Sequence, residues 1–167
     1  TDHYNPADKT VNLSPEIYEG RSVMAAAVAA HECGHALQHA KAYGPLEMRS
    51  ALVPIQNASG RIINIIFMVL LFGSFLISGL DIFTTIGLPI IIGCYFIFTL
   101  FAFITLPVEY DATKRALAWI NDRNIVTPDE HGMAEDALNA AARTYLVAAL
   151  GSLAMLVYYL TMFLGND

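Results

Sequence analysis

The 167-residue sequence is poor in cysteine and in basic residues, and each shortage excludes a class of protein. Its two cysteines, Cys33 and Cys94, are too few for a disulfide framework. Lysine and arginine total nine and are scattered, so the chain has no basic face for nucleic acid. The sequence also lacks a glycine-rich phosphate loop, a serine nucleophile elbow, internal repeats and low-complexity segments. Any chemistry must therefore come from other patterns.

Charge of either sign is scarce as well. Only 14% of the residues are charged, 56% are hydrophobic, and the mean hydropathy is +0.50, which is typical of a membrane protein. Charge-free runs occupy positions 62–80 and 82–106, and a third apolar run occupies 145–164. Each run is long enough to span a bilayer, so the sequence predicts three transmembrane helices. The alternative for each run is a buried helix of a soluble core.

The positions of the basic residues predict a topology. All nine lie at 9–61 and 114–143, and the positive-inside rule places both polar blocks in the cytoplasm. The first two spans form a hairpin, so the chain returns at Val108 to the face that it left at Arg61. Because two spans are an even number, the polar blocks before and after the hairpin can build one site.

The predicted organisation has four parts. They are the first part of a catalytic region at 1–61, a transmembrane hairpin at 62–106, the second part of the catalytic region at 107–143, and a last transmembrane helix at 144–167. The expected fold class is mainly α, an integral membrane protein with a small zincin-like cytoplasmic region. Residues 9–13 alternate as a short strand, and Ser14-Pro15 is typical of a helix start. The chain opens at Thr1 without a charged n-region or a cleavage site, which suggests a missing upstream segment.

The stretch AAAVAAHECGHALQHA, at 25–40, carries the main chemical pattern. It lies in a predicted helix of strong helix formers that ends before Gly44. His31 and His35 are about 40° and one turn apart on this helix, so both imidazoles can reach one ion. Glu32, about 100° from His31, flanks that ion, where it can take a proton from the attacking water and pass it to a leaving amine. This is the physical content of H-E-x-x-H, and the alternative is a structural histidine pair.

Two features of this helix favour a functional site. Three ionisable groups in an apolar helix carry a desolvation cost that a metal and a catalytic role would explain. Gly34 in a helix interior costs about 1 kcal/mol relative to alanine. Its presence predicts that another backbone, or a substrate, approaches the helix there.

A catalytic zinc ion needs a third protein ligand. His39 lies about 12 Å along the axis from His31, too far to share the ion, and it is interpreted as a helix-end histidine, a support behind the ligands or a substrate contact. Cys33 points to the opposite side of the helix. Glu109 is the better candidate, because an acid at the end of an apolar span usually has a partner. The alternatives are an interfacial glutamate in water or an acid in the first turn of a helix, with Pro107 marking a helix break or start.

Several weaker candidates complete the set. His3, Tyr4 and His131 are possible donors to the oxyanion that forms when water adds to a carbonyl, and the sequence does not choose among them. The short strand at the start of the chain could pair with an extended peptide substrate. Asp111 and Arg115 have i,i+4 spacing and are interpreted as surface support.

Four segments together carry a family resemblance: TDHYNPADKTVNLS, HECGHALQHA, MRSALVP and LPVEYDATKRAL. They resemble the YugP-type neutral zinc metallopeptidases of bacterial membranes, over positions 1 to about 150. The resemblance implies a zinc endopeptidase of the bacterial cytoplasmic (inner) membrane with an N-terminal anchor helix. It also implies one Zn²⁺ held by His31, His35 and Glu109, with Glu32 as the base.

The layout is more distantly similar to that of HtpX-type membrane proteases, in which a transmembrane hairpin also separates HExxH from a glutamate ligand. Those proteins carry an aspartate four residues after that glutamate, where this chain has Thr113. A hydroxyl can hydrogen-bond a ligand histidine but cannot supply the charge of an aspartate.

The sequence thus predicts a zinc endopeptidase at the cytoplasmic membrane face, with a membrane-associated polypeptide as its substrate. Two alternatives are a zinc hydrolase of another amide or of a lipid-linked substrate, and a non-catalytic metal-binding subunit. Glu32 argues against the subunit, because a structural metal site needs no base. The expected partners are the polypeptide and the lipid bilayer, without nucleic acid. Two histidines and a glutamate also accommodate cobalt or manganese.

Overall fold

A computed structural model describes residues 1–73 and 83–165 of the chain. The chain begins with an antiparallel hairpin of β1 (His3–Asn5) and β2 (Thr10–Asn12), in which Tyr4 lies opposite Val11. The helices that follow are α1 (Pro15–Tyr18), α2 (Val23–Ala40), α3 (Gly44–Gly73), α4 (Leu88–Asp122), which follows a π-helical turn at Phe83–Gly87, and α5 (Pro128–Leu164). The mainly α class, the strand near residues 9–13 and the helix start at Pro15 agree with the predictions.

Local capping explains where two of these helices begin. The hydroxyl of Ser22 accepts a hydrogen bond from the Ala25 N–H at 3.1 Å and caps α2. At the start of α5, the Glu130 carboxylate accepts hydrogen bonds from the Thr127 N–H and hydroxyl at 3.0 and 2.9 Å. This reach of an acid back to the residue three before it belongs to the capping-box motif.

Three helical segments of the described chain are long and apolar enough to cross a membrane. They are Gly44–Phe72, Phe83–Asp122 and Pro128–Leu164. The spans predicted at 62–80, 82–106 and 145–164 lie mostly within them. The end of the first predicted span, at 74–80, and the hairpin turn after it lie outside the described residues.

Pro107 neither breaks nor starts a helix, so that prediction was wrong. α4 continues through Pro107 from the apolar segment into the polar one. The proline removes one main-chain donor from the helix. Helices that cross membranes tolerate this loss, because neighbouring groups and local adjustments satisfy the freed carbonyl.

The chain divides into two compact units. The first contains Thr1–Met48 and Ile104–Leu146, and the second contains Arg49–Phe103 and Val147–Asp167. The buried core of the first unit is largely alanine, a composition that allows close helix packing: Ala27, Ala30, Ala116, Ile120, Ala134 and Leu138. The second unit has a cluster of Leu88, Ile91 and Tyr159. The predicted domain boundaries after residues 61, 106 and 143 fall inside α3, α4 and α5.

Candidate metal centre

The centre depends on a close approach of α2 and α4 at Gly34. A Cβ atom at this position would lie 2.6 Å from the carbonyl oxygen of Ala112, so no side chain fits. The prediction that another backbone approaches Gly34 is confirmed, and that backbone belongs to α4. The neighbouring Cys33 is exposed, in keeping with its predicted orientation away from the site.

This approach brings Glu109 of α4 against the two histidines of α2. One donor atom each from His31, His35 and Glu109 lie within 4.8 Å of one another. The Nε2 atoms of His31 and His35 are 3.2 and 3.6 Å from the same Oε2 of Glu109. The polar segments before and after the predicted hairpin therefore meet, as the even number of spans predicts.

The charges and burial of this cluster fit a metal ion. Glu109 is only 1% exposed, and a carboxylate so buried needs positive partners. Burial by itself lowers the pKa of His35, but the hydrogen bond and negative charge of Glu109 outweigh it, and the pKa of His35 is raised overall. Two imidazoles and a carboxylate are one of the donor sets that hold catalytic zinc.

The remaining nitrogen of each histidine also has a partner. His31 Nδ1 lies 3.4 Å from the hydroxyl of Thr113, the residue that the sequence analysis considers as a hydrogen-bond partner of a ligand histidine. His35 Nδ1 lies 2.9 Å from the side-chain oxygen of Gln38. Because both Nδ1 atoms are engaged, the Nε2 atoms are the ones that face Glu109 and are available to an ion.

Gln38 is a site residue that the sequence reasoning missed. It is fully buried, and its Nε2 donates to the Val108 carbonyl at 2.7 Å and to the Asp111 carboxylate at 2.8 Å. Its sequence signal is an amide three residues after His35, on the same face of the helix as the two histidines.

Asp111 has a second contact besides its predicted i,i+4 pair with Arg115. The predicted pair is present, since Arg115 Nε donates to the Asp111 carboxylate at 2.6 Å. The same carboxylate also accepts the hydrogen bond from Gln38 and so connects to the metal centre. Spacing along α4 could not reveal this bond, because its donor lies on α2.

Glu32 lies against the β-hairpin. Its carboxylate is buried and accepts a hydrogen bond from the Tyr4 N–H at 2.8 Å. The hydroxyl of Tyr4 and Nδ1 of His39 are 2.7 Å apart and share a hydrogen bond. The Tyr4 N–H is therefore engaged, although a peptide that paired with β1 at this residue would need it.

The structure does not bring every predicted candidate to the cluster. His3 is exposed, and its ring hydrogen-bonds the main-chain carbonyl two residues before it. His39 lies in the last turn of α2 with Tyr4 as its partner. His131 lies in the first turn of α5, where its buried Nε2 has no hydrogen-bond partner among the residues that the structure describes. Oxyanion roles for these residues stay predictions.

A helical chain with three membrane-length segments and a largely buried His-His-Glu cluster has the features of a membrane metallopeptidase. Residues 1–164 match the family described as "Putative neutral zinc metallopeptidase", and the chain belongs to this family. It is 40% identical over 168 residues to "Putative membrane protease YugP" of Bacillus subtilis (strain 168), a match that covers 100% of this chain and 71% of that protein. No solved structure matches the chain. The family resemblance inferred from the motifs is confirmed.

Proposed function

We propose that this protein is a zinc-dependent endopeptidase of the bacterial cytoplasmic membrane that cleaves membrane-associated polypeptides at the cytoplasmic face. The observation that carries the proposal is the convergence of His31, His35 and Glu109, whose donor atoms lie within 4.8 Å of one another. These three residues would hold the ion, and Glu32 would act as the base. Membership of a zinc metallopeptidase family supports both the metal and the reaction.

Bound zinc would supply a Lewis acid that activates water and polarises the scissile carbonyl. Glu32 accepts the proton of the attacking water and later donates it to the leaving amine. The water oxygen bonds to the carbonyl carbon and the C–N bond breaks. One proton of the water goes to the leaving amine, and the other stays with the new carboxyl group. The Tyr4 N–H fixes one oxygen of Glu32, so the base is oriented before a substrate arrives.

The three ligands come from two helices, which supports a site built for tight binding. His31 and His35 are fixed relative to each other by one turn of α2. Glu109 is fixed to both by the packing of α4 at Gly34, where the helices leave no room for a Cβ atom. Preorganised donors of this kind reduce the reorganisation that metal binding would otherwise require.

The test measures bound metal per chain by elemental analysis of detergent-purified protein. Wild type is expected to bind about one zinc per chain, the stoichiometry of a single catalytic site. Glu109→Ala should bind little, and the matched control Glu135→Ala, at an exposed position on α5, should bind as much as wild type. Wild type should also cleave extended peptides, lose this activity to a chelator and regain it with added zinc. A well-folded wild type without metal would contradict the proposal.

A further inference from the structure

The hydrogen bonds of Gln38 allow only one orientation of its amide. Its three polar neighbours are the Val108 carbonyl, the Asp111 carboxylate and Nδ1 of His35, at 2.7, 2.8 and 2.9 Å. The carbonyl and the ionised carboxylate can only accept, so the NH₂ group of the amide must face both of them. The amide oxygen is left to face His35.

This orientation determines which nitrogen of His35 carries a proton. An amide oxygen can only accept a hydrogen bond, so Nδ1 of His35 must be the donor. In the neutral ring the lone pair then lies on Nε2, the atom that faces Glu109. Gln38 thus selects the tautomer of His35 that a metal ion requires.

Asp111 is itself held in place. Arg115 Nε donates to its carboxylate, and the Arg115 guanidinium lies over the Tyr43 ring, 5.8 Å from the centroid. The Tyr43 N–H donates to the Gln38 main-chain carbonyl at 3.0 Å. These contacts therefore connect the Gln38 side chain, through Asp111, Arg115 and Tyr43, to the Gln38 main chain.

The same side chain also fixes the backbone of α4 beside the third proposed ligand. Val108, whose carbonyl accepts from Gln38, directly precedes Glu109. Gln38 itself is fully buried, and a hydrogen bond in such surroundings is electrostatically stronger than one in water.

We infer that Gln38 is a positioning residue of the metal centre, which holds His35 with Nε2 toward the ion, and that Asp111 is the anchor that holds Gln38. Gln38 contacts neither the ion nor the substrate in this role. The inference rests on the proposed function, since it assigns a support to the proposed ligand His35.

The first test compares the zinc affinity of variants of the whole 167-residue chain, measured by competition with a chelator. Gln38→Leu keeps the approximate volume and removes all three hydrogen bonds, and it should weaken zinc binding about 10-fold to 100-fold. The matched control is Gln56→Leu, at the chain's other glutamine, which lies on α3 and should bind zinc as wild type does.

A spectroscopic readout separates positioning from packing. In zinc-loaded protein with ¹⁵N-labelled histidine, wild type should show an Nδ1–H signal assigned to His35 that is protected from solvent exchange. Gln38→Leu, saturated with excess zinc, should lose that signal. A packing role alone would lower the melting temperature of the metal-free protein and leave both the signal and the zinc affinity unchanged. That result would overturn the inference.

A second pair of variants keeps the test decisive if Gln38→Leu does not fold. Asp111→Ala leaves the Gln38 bond to Val108 in place and removes only the anchor, so it should weaken zinc binding about tenfold. Asp122→Ala, at an exposed position near the end of α4, is the control and should have no effect. Wild-type affinity in Asp111→Ala would overturn the inference. Wild type without zinc would refute the proposed function, whereas zinc binding and cleavage with unaffected variants would refute only the role of Gln38.

Discussion

The hydrogen bond between Tyr4 and Glu32 connects the proposed base to a main-chain donor. A main-chain donor stays in place when the Tyr4 side chain is changed, so the Tyr4 hydroxyl can be tested separately from the support of Glu32. A glutamine at position 32 can accept the same N–H through its amide oxygen. The base can thus be neutralised without removing this contact.

Glu32→Gln should therefore bind zinc as wild type does and lose catalytic rate. A general base contributes about 10²-fold to 10⁴-fold, so kcat for a peptide substrate should fall by that factor. The measurement is cleavage rate beside metal content in the same preparations. Glu16→Gln, at an exposed position of α1, is the control and should keep full activity. Wild-type cleavage by a zinc-loaded Glu32→Gln protein would rule out this residue as the base.

Zinc binding should weaken as the pH falls, because zinc and a proton compete for His35. The pKa of His35 is raised by Glu109 despite its burial, so the loss of affinity should begin above the ordinary histidine pKa of 6.5. Chelator competition measured from pH 8 down to pH 5.5 would show this loss. Constant affinity between pH 8 and pH 6.5 would contradict it.

The same pairing has the opposite dependence in the metal-free protein. A group with a raised folded-state pKa stabilises the fold fully below its unfolded-state pKa, here 6.5. That stabilisation is lost as the pH rises through the raised pKa of His35. Metal-free protein should therefore melt at a higher temperature at pH 6 than at pH 8 as far as this pair is concerned, and zinc should reverse the order.

At the scale of helices, α2 and α4 are matched in steps of four residues. Along one row of contacts, His31 meets Thr113 and His35 meets Glu109. Along the neighbouring row, Gly34 meets Ala112 and Gln38 meets Val108. Each step of four residues forward on α2 goes with four residues back on α4. The helices therefore run antiparallel at the site, and four residues is close to one helical turn.

Gly34→Ala should separate the two helices. Its Cβ would meet the Ala112 carbonyl oxygen at 2.6 Å, and overpacking of this kind costs about 1–3 kcal/mol. Zinc affinity should fall together with the melting temperature in detergent. The control is Gly132→Ala on α5, where a Cβ has no neighbour within 4 Å and alanine should stabilise the helix by up to about 1 kcal/mol. Equal effects of the two substitutions would contradict the role of Gly34.

The sequence predicted those parts of the site that short-range spacing determines. The face shared by His31 and His35 follows from helical geometry. Gly34 predicts a close approach of another group, because glycine inside a helix destabilises it relative to alanine. Glu109 followed from its place after a long uncharged run. Gln38 did not follow, because two of its three partners, Val108 and Asp111, lie about 70 residues away and these bonds depend on how α2 and α4 are aligned.

At the scale of the whole molecule, the first compact unit is assembled from two distant stretches, Thr1–Met48 and Ile104–Leu146. The chain between them belongs to the second unit, and it contains most of the candidate membrane span Gly44–Phe72 and about half of the span Phe83–Asp122. The HExxH helix therefore has no third proposed ligand until the chain has returned through α4. We expect zinc binding to require an intact hairpin.

Topology is the whole-molecule prediction that the charge pattern makes. A reporter fused after Asp167 should be extracytoplasmic, and one inserted between α4 and α5, at 123–127, should be cytoplasmic. A pair of reporters, each active on only one side of the membrane, measures both positions in cells. A cytoplasmic signal after Asp167 would overturn the predicted orientation, although the metal centre could be unchanged.

The four-residue matching of α2 and α4 sets different tolerances for substitutions and for changes in length. One inserted residue between His31 and His35 would turn the rest of α2 by about 100° and advance it by about 1.5 Å. His35 would leave Glu109 and Gln38 would leave Val108 in the same event, although every original side chain would still be present. Libraries that vary residue identity at the exposed positions of these stretches, Cys33, Leu37 and Tyr110, should therefore yield functional proteins, whereas libraries that vary the length of either stretch should yield none.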